Sequence, residues 1–504
     1  MFFLFFSCNN KKDHTFVIGI PDEWGDLSPS QQNSVYTDVI ISNKFETLVR
    51  MDRNGMIEPS AAISWSISPK FDEIKFKIDT TKRFSNGKFL TAQDFKNAWE
   101  QGLALSSSNT FKGAFKDILS RVKGYKNFKK TKKLSGLVVD GDFFILKFTG
   151  PFRSALSFIF NTRLGVFIKE GKDFIGTGPY KIIYDDGRAL EMVPNKYSKI
   201  SQAFSKIKLI VVPPKEAETK LNSGEIEAYL FAEKAIIKAC ASHTSTSKIK
   251  CISGREGRHE YVSINGLPDS IFSNPKYRKA IQALLISEVK KSELPEFMKF
   301  NNVRKDPQVY LDFQLGRLSD EEADRVIHEG DKYIFDFIKA TKSRPVFLLT
   351  YDEPNWIQEL LQKRGVAFTK NSGLVPKNVV LEMYRRTKNA PDMAVGGVSL
   401  ANGDPDGLYH GLGRMGSHTS PIAVRPGISK LLEEGRSIID RKAVNEHYKK
   451  VSREVLREVP FVHIGFSLGV VAYRADKVSV NAAVKNREAY GLNIFEPKKL
   501  FFVR

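Results

Sequence analysis

Helix-like and strand-like patterns alternate through most of this 504-residue chain, and that alternation limits its fold more than any other feature. Thr91 followed by Asp94 has the pattern of a helix N-cap. Phe95, Ala98 and Trp99 then recur on one helical face. Further helices are predicted at 275–289, 356–363 and 444–455, and strands at 74–90, 138–144, 366–368 and 461–473. This order favours layered α/β domains over a helix bundle or a β-sandwich.

Turn residues predict two hairpins and one bend. Asn86-Gly87 lies between two strand-like segments, and both residues tolerate the positive φ of a two-residue turn. Residues 138–144 have the pattern of a second hairpin. Residues 176–180 are expected to bend into a strand, with Gly178 required for its backbone geometry.

The composition fits a large globular protein. At about 150 residues per domain, the length indicates roughly three units. Hydrophobic residues make up 41% of the chain, which is enough for packed cores, and three cysteines are too few for a disulfide scaffold. Intrinsic disorder and collagen-like structure are excluded because aromatic residues make up 11% of the chain and charged residues 27%, while glycine and proline occur at ordinary frequencies.

The chain is basic, with a formal net charge of +21, and most of the excess is spread along the sequence. The densest stretch, residues 123–133, is called the lysine run below; it interleaves six lysines with Tyr125 and Phe128. Such a composition occurs on surfaces that track phosphates and stack bases, so a nucleic-acid binder is one alternative. The run contains no arginine, and no nucleic-acid motif accompanies it. A solvated basic loop is the favoured interpretation.

Residues 1–12 are expected to be a signal remnant or lipoprotein tether. An apolar stretch ends at Cys8 and resembles the end of a bacterial lipoprotein signal, in which the cysteine is lipidated. Its apolar core of about six residues is shorter than in a secretory signal, so a late start codon and a chance pattern both stay open. No other stretch approaches the ~18 apolar residues of a membrane span. We expect the periplasm or cell envelope, with a possible lipid anchor.

The other two cysteines are Cys240 and Cys251. In an oxidising compartment they are a possible disulfide; otherwise they are two buried thiols. His243 and His259 lie nearby in sequence, but the spacing matches no standard zinc motif. No metal site and no cofactor are predicted.

Catalytic motifs are weak. Gly465-Phe-Ser467-Leu-Gly469 matches a nucleophile elbow, yet a strand-like segment follows it and no histidine occurs after His463. Residues 411–416 spell GxGxxG without the preceding apolar strand that a dinucleotide site needs. A serine hydrolase is therefore a remote alternative, and we expect no enzymatic activity.

Several segments, in order, resemble a known family. They are residues 43–49, 83–87, 90–95, 176–180, 221–227, 274–280 and 402–406. Together they are similar to the bacterial extracellular solute-binding proteins of family 5, the oligopeptide- and dipeptide-binding components of ABC importers. The resemblance covers roughly residues 15–480.

The resemblance implies a type II periplasmic-binding-protein clamp with two lobes and an additional inserted domain. The implied borders are 13–45, 160–258 and 470–504 for lobe I, 46–159 for the inserted domain, and 259–469 for lobe II. A solute, most simply a peptide, would bind between the lobes, and the closed clamp would dock on a permease. Closure is then a population shift, because contacts to both lobes exist only in the closed state.

The contact candidates lie in the loop 399–406. In many peptide-binding members an aspartate at the position of Ala401 neutralises the peptide's α-ammonium, which is costly to bury unpaired. Asn402, Asp404 and Asp406 are further candidates in this loop. The alanine leaves peptide binding open but makes a blocked peptide, a sugar or another small solute more plausible. A family relative with a signalling or structural role is a further alternative.

Two residues outside the loop complete the ligand-binding candidates. Trp24 lies in the early loop that follows the solute in relatives, where an exposed aromatic ring would cover it; core packing is the competing interpretation. Arg414 follows the acidic loop and could hold a carboxylate bidentately, with a surface role as its alternative.

Overall fold

The computed structural model describes most of the chain. The described residues are 15–29, 35–51, 56–106, 118–200, 204–230, 248–295, 303–350, 356–375, 383, 386–399, 404–413, 420–480 and 501–503. Residues 253–258, 398–399, 410, 467–469, 479–480 and 501–503 are described by their backbone alone.

The strands are numbered in chain order. They are β1 (Thr15–Ile20), β2 (Val49–Met51), β3 (Ile57–Pro59), β4 (Ala62–Ile67), β5 (Glu73–Ile78), β6 (Leu137–Asp140), β7 (Phe143–Lys147), β8 (Phe167–Glu170), β9 (Asp173–Gly176), β10 (Tyr180–Asp185), β11 (Ala189–Pro194), β12 (Lys206–Val211), β13 (Ala228–Leu230), β14 (Ile249–Ile264), β15 (Arg304–Lys305), β16 (Leu348–Thr350), β17 (Gly373–Leu374), β18 (Met393–Ser399), β19 (Phe461–Arg474), β20 (Val478–Val480) and β21 (Phe501–Val503).

The α-helices are numbered in the same way. They are α1 (Val35–Lys44), α2 (Ala92–Ser106), α3 (Phe128–Thr131), α4 (Leu156–Ile159), α5 (Pro214–Ser223), α6 (Pro275–Lys291), α7 (Asp320–His328), α8 (Ile334–Ser343), α9 (Trp356–Lys363), α10 (Tyr409–Leu412), α11 (Pro426–Gly435) and α12 (Arg441–Glu458). Short 3-10 helices are Tyr125–Asn127, Thr162–Leu164, Ile271–Ser273, Asp331–Tyr333 and Pro405–Leu408.

Two long strands connect the two halves of the main sheet. Within the described ranges this sheet has eleven strands in the order β10-β11-β12-β1-β13-β19-β14-β18-β16-β17, with β15 paired to β19. β14 is antiparallel to β19 over 249–263, and its end at 258–264 also pairs with β18. The opposite end of β19 pairs with β13 at 471–473. β14 and β19 therefore cross from the β1 side to the β18 side, as the clamp resemblance implies.

The crossing of β14 is irregular in register. The pairing with β19 shifts between Ser253 and Glu256 and again between Glu256 and Arg258. These irregularities lie beside the border of 258/259 expected between the lobes. The domain borders themselves remain a prediction.

A separate sheet and separate cores accompany the main sheet. β4-β5-β7-β6 form a four-stranded sheet within the region expected to be inserted. Its apolar core, the insert core, includes Trp99 and Phe144. Phe16 belongs to a core in the region expected to be lobe I, which we call the lobe I core, and Leu285 to the core that includes Val262 of β14 and Met393 of β18. Tyr448 belongs to a further helical core in the region expected to be lobe II. The α/β class expected from the sequence is confirmed.

Helix caps agree well with the sequence. α2 begins after Thr91, whose Oγ1 donates to the Asp94 carboxylate at 2.7 Å, while the Asp94 N–H donates back to that Oγ1 at 3.3 Å. Trp99 of this helix is buried. At α6 the Asn274 side chain accepts from the Lys276 N–H at 3.0 Å. Both helices start where the capping residues predict.

Hairpins were predicted less evenly. β6 and β7 form the hairpin expected at 138–144. Around Asn86 and Gly87, by contrast, the chain makes only a single bridge between Arg83 and Phe89, although Gly87 has the expected positive φ of 93°. β5 pairs instead with β4 on one side and with β7 on the other, so its residues have strand partners along the whole of 73–78. The strand expected at 366–368 is likewise one bridge, from Val346 to Phe368.

No helix in the described ranges combines the length and apolar character needed to cross a membrane.

Candidate functional site

The loop that carries the predicted contacts ends in a short capped helix. Asp404 is the N-cap of the 3-10 helix Pro405–Leu408, and its Oδ1 accepts from the Asp406 N–H at 3.0 Å. Aspartate followed by proline suits this position, because aspartate accepts from free helical N–H groups and proline lacks one. β18, which precedes the loop, pairs with β14 up to Arg258 at the crossing. The chain thus leads from the crossing strands directly into this segment.

Asp404 forms a bidentate ion pair with Arg153. The Arg153 guanidinium donates to both carboxylate oxygens at 2.9 and 3.0 Å, and Ser157 Oγ donates to the same carboxylate at 3.4 Å. The side chains of Arg153 and Asp404 are only 17% and 10% exposed. Burial alone would lower the pKa of Arg153, but the hydrogen bonds and charge of Asp404 outweigh it and raise that pKa.

Asp406 is held in a second, fully buried ion pair. Arg436 Nε donates to its Oδ2 at 2.8 Å, and both side chains are 0% exposed. Ser154 Oγ donates to Oδ2 at 2.6 Å and Tyr448 Oη to Oδ1 at 3.2 Å. The Arg436 guanidinium also stacks 3.7 Å from the Tyr409 ring centroid. Burial raises the pKa of Asp406, whereas the Arg436 charge opposes that shift.

These contacts join two cores. Phe152 and Phe158, on either side of Arg153 and Ser154, belong to the insert core. Tyr409 belongs to the helical core of lobe II. Residues 404–406, which belong to the region expected to be lobe II, therefore lie where that region contacts the segment 152–158, and we refer to this set of contacts as the acidic junction.

A neighbouring contact links the region expected to be inserted to the end of α11 without the two aspartates. Arg121 donates to Ser437 Oγ at 2.8 Å and lies 3.5 Å from the Glu433 carboxylate. It also donates to the carbonyl of Pro151 at 2.9 Å.

Trp24 lies away from the acidic junction. Its side chain is 1% exposed and packs in the lobe I core, and its carbonyl accepts from Thr37 Oγ1. The expected exposed ring over a solute is absent at Trp24 in this structure; the indole is a core side chain, as the competing interpretation held.

The remaining candidates are only partly described. Ala401, Asn402, Arg414, Cys8 and Cys240 lie outside the described residues. Cys251 is disulfide-bonded. Of the six ligand-binding candidates, the structure brings together Asp404 and Asp406.

Sequence reasoning missed the basic side of the acidic junction. Arg153 and Asp404 are 251 positions apart, and Arg436 is 30 positions from Asp406. No local pattern pairs such residues in a single sequence. The sequence signal for these partners was the presence of two aspartates, Asp404 and Asp406, in the loop. A carboxylate that becomes buried requires a positively charged or hydrogen-bonding partner.

The alternative functions find no matching geometry. Ser467 lies within β19, where its backbone pairs with Arg258, and not on a strand-to-helix turn. In the lysine run Phe128 is buried and Tyr125 is partly buried against the insert core, so the run does not present two exposed rings for stacking. No group of three or more metal-ligating side chains occurs within the described part of the chain.

Comparison with known proteins shows similarity to one family over the middle of the chain. A family model described as the middle part of the bacterial extracellular solute-binding proteins, family 5, matches residues 56–285. The dipeptide-binding protein DppE of Bacillus subtilis is 29% identical over 213 residues, which are 38% of this chain and 38% of DppE. That alignment spans well under two thirds of the relative.

Solved structures extend the likeness to nearly the whole chain. The periplasmic binding protein AgaA from A. tumefaciens R10, in complex with agropinic acid, superposes with a TM-score of 0.77 at 18% identity over 97% of this chain and 99% of AgaA. Haemophilus influenzae OppA in complex with RPPGFSPFR gives 0.79 at 15% identity over 98% and 99%. The fold is the type II periplasmic-binding-protein clamp. Over residues 56–285 the chain is similar to the bacterial extracellular solute-binding proteins of family 5.

Proposed function

We propose that this protein is an extracytoplasmic receptor that captures a small solute between its lobes and delivers it to an ABC import permease. The observation that carries the proposal is the pair of long strands, β14 and β19, that connect the two halves of the main sheet at an irregular crossing. Two lobes joined in this way can rotate about the crossing without breaking either core.

Closure supplies the mechanism, and no chemical step is needed. A solute that contacts both lobes binds the closed state more tightly and shifts the population toward it. Moving such an equilibrium from about 1:99 to 99:1 takes about 5.5 kcal/mol of differential affinity. A non-enzymatic role agrees with the names of the relatives, which are binding proteins.

A peptide is the favoured solute class. DppE and the OppA complex are named for peptide ligands. In this chain, however, Ala401 offers no carboxylate, and Asp404 and Asp406 are committed to Arg153 and Arg436. We therefore propose a peptide whose amino terminus is not held by a charge at this loop.

A non-peptide solute is the second candidate. The same lack of a free carboxylate in the loop favours it, and the AgaA complex with agropinic acid is an example of such a ligand on this fold.

Lipidation at Cys8 would keep the receptor at the membrane that holds its permease. Intact-mass detection of a diacylglycerol on the native protein tests that anchor, and an unmodified Cys8 in native membranes contradicts it.

The decisive experiment is native mass spectrometry of the solute that copurifies, followed by calorimetry. A mixture of tripeptides is offered with free and with acetylated amino termini. We expect binding of both forms within about threefold, or under about 0.7 kcal/mol. Ala401→Asp should restore a preference for the free form by supplying the missing counter-charge. If neither form stabilises the protein against heat, the peptide assignment fails.

A further inference from the structure

In the acidic junction, one residue of the segment 152–158, Arg153, contacts a side chain of the candidate ligand loop, Asp404. Asp404 directly follows the predicted contacts Ala401 and Asn402 in sequence. Its carboxylate caps the N-terminus of the helix Pro405–Leu408, and both oxygens of the same carboxylate accept hydrogen bonds from the Arg153 guanidinium. One side chain therefore serves two elements at once.

We propose that Arg153 is a positioning residue for the described end of the candidate ligand loop, residues 404–408, acting through Asp404, and that it makes the geometry of this end depend on contact between the segment 152–158 and lobe II. The role deepens the proposed receptor function and rests on it. Arg153 itself is not assigned a contact with the solute.

Geometry explains why arginine suits this task. A guanidinium presents two parallel N–H groups that match the two oxygens of a carboxylate, so it fixes the orientation of Asp404 as well as its place. A lysine carries the same charge but is a point donor and cannot impose that orientation. The Arg153 N–H also donates to the Arg436 carbonyl at 3.1 Å, which locks the backbone of the segment to the second ion pair.

The arrangement couples closure to the geometry of residues 404–408. If the segment 152–158 and lobe II separate when the clamp opens, Arg153 leaves Asp404, and the helix Pro405–Leu408 loses the group that orients its cap. When they meet again, the cap regains its orientation. Binding and closure then favour each other, which is a coupling between two sites of one molecule.

Hydrogen exchange of the intact chain tests the role without a ligand. Replacing Arg153 by Ala should speed exchange at the Asp406 and Gly407 amides about tenfold or more, because a charge-assisted bidentate contact is lost. Arg153→Lys should not restore protection. Arg153→Ala combined with Asp404→Ala should add little to Asp404→Ala alone, because both changes break one contact.

Arg121→Ala is the matched control, since Arg121 links the region expected to be inserted to the end of α11 without touching Asp404. It should leave the Asp406 and Gly407 amides protected. Equally fast exchange of these two amides in the Arg121→Ala and Arg153→Ala variants would mean that either change loosens the interface as a whole. Full protection of the amides in Arg153→Lys would contradict the orienting role.

Affinity for the free and acetylated tripeptide mixture supplies the second readout. Arg153→Ala should weaken it at least about tenfold while Arg121→Ala changes it less than about threefold. If the loop amides respond as expected but no peptide binds even the wild-type protein, the positioning role stands and the peptide assignment fails. If peptides bind and the loop does not respond, the positioning role is overturned alone.

Discussion

At the scale of single residues, the buried ion pair of Asp406 and Arg436 makes the stability of the fold sensitive to the loss of either charge. Neither side chain is exposed, so each charge depends on the other and on Ser154 and Tyr448 for compensation. An ion pair in such surroundings adds little net stability, but the removal of one partner leaves an unpaired charge in a dry site.

Asp406→Asn is therefore expected to lower the free energy of unfolding by about 3–5 kcal/mol, although it preserves side-chain volume. Chemical denaturation measures the loss. Glu434→Gln is the control, because Glu434 lies 4.0 Å from Lys430 in an exposed pair (47% and 78% exposed) and should change stability by less than about 0.5 kcal/mol. Similar small effects at both sites would show that Asp406 is not isolated from water.

A second residue-scale consequence concerns two buried histidines within the crossing strands, His259 in β14 and His463 in β19. His463 Nδ1–H donates to the Asp306 carbonyl at 2.7 Å, and its ring lies 5.0 Å from that of His259. Burial lowers the pKa of His463 to about 4, with the charges of Arg317 and Arg304 acting in the same direction. The pKa of His259 is also lowered, first by burial and then by His463.

Because the folded pKa of His463 lies below the unfolded value of 6.5, the unfolded chain takes up the proton first. Stability is fully present above about pH 6.5 and is lost as the pH falls toward 4, by up to about 3 kcal/mol from this group. Denaturation midpoints across that range should fall less steeply for His463→Gln than for the wild type. A control at the exposed His328, His328→Gln, should keep the steep slope; parallel slopes for wild type and His463→Gln would contradict the assignment.

At the scale of elements, the end of α1 packs against the connection between β9 and β10. Gly178 does not have a positive φ, so the conformational freedom expected from the sequence is not what requires glycine there. A Cβ at this position would lie 2.5 Å from the Asn43 carbonyl oxygen and from the Lys44 carbonyl carbon. The Gly178 N–H also donates to the Lys44 carbonyl at 2.9 Å. Close approach of two backbones is the reason for this glycine.

Gly178→Ala should therefore destabilise the protein by about 1–3 kcal/mol, because a rigid backbone has to move to admit the methyl group. Thermal or chemical unfolding measures the change. Gly150→Ala is the matched control, since a Cβ there meets no atom within 4 Å; its effect should stay within about 0.5 kcal/mol. A neutral Gly178→Ala would show that α1 and the connection can separate at little cost.

Local signals predicted elements better than they predicted partners. The Thr91 and Asp94 capping box and the Asn274 cap fixed two helix starts, because a cap involves residues three or fewer positions apart. The turn at Asn86 and Gly87 formed, but the segments on either side of it pair only through the bridge between Arg83 and Phe89. β5 pairs with β4 and β7 instead. Strand pairing depends on tertiary packing, which a local pattern does not contain.

The same limit applies to the candidate site. The loop was found from its sequence, including Asp404 and Asp406, because the family resemblance marks it. Their partners Arg153 and Arg436 became visible only once the insert core and lobe II were brought together. Trp24 shows the converse, since a tryptophan in an early loop gives no sign of whether it packs inward or covers a cleft.

At the scale of the whole molecule, chain order and spatial order differ. β1, β13 and the end of β19 are neighbours in the sheet although residues 15–20, 228–230 and 471–473 are far apart in sequence. The net charge belongs to this scale as well. The six lysines of the lysine run are exposed, whereas Phe128 is buried and Tyr125 is partly buried, so the charge of the run acts as part of a distributed field.

A distributed charge of +21 predicts adsorption to anionic lipid vesicles that depends on how many charges are removed and not on where. One variant changes four lysines of the run to Gln, and a matched variant changes four exposed lysines elsewhere. The first set is Lys126, Lys129, Lys130 and Lys132, and the second is Lys339, Lys370, Lys442 and Lys450. Cosedimentation with vesicles at low salt should fall equally in both variants.

Adsorption should also disappear near 1 M salt, where the Debye length is about 3 Å, whereas solute binding in an enclosed cleft should persist because buried contacts are screened much less. A loss confined to the first variant would instead identify the lysine run as a specific anionic-partner surface. Solute binding that falls with salt in parallel with adsorption would place recognition on the outer surface and not between the lobes.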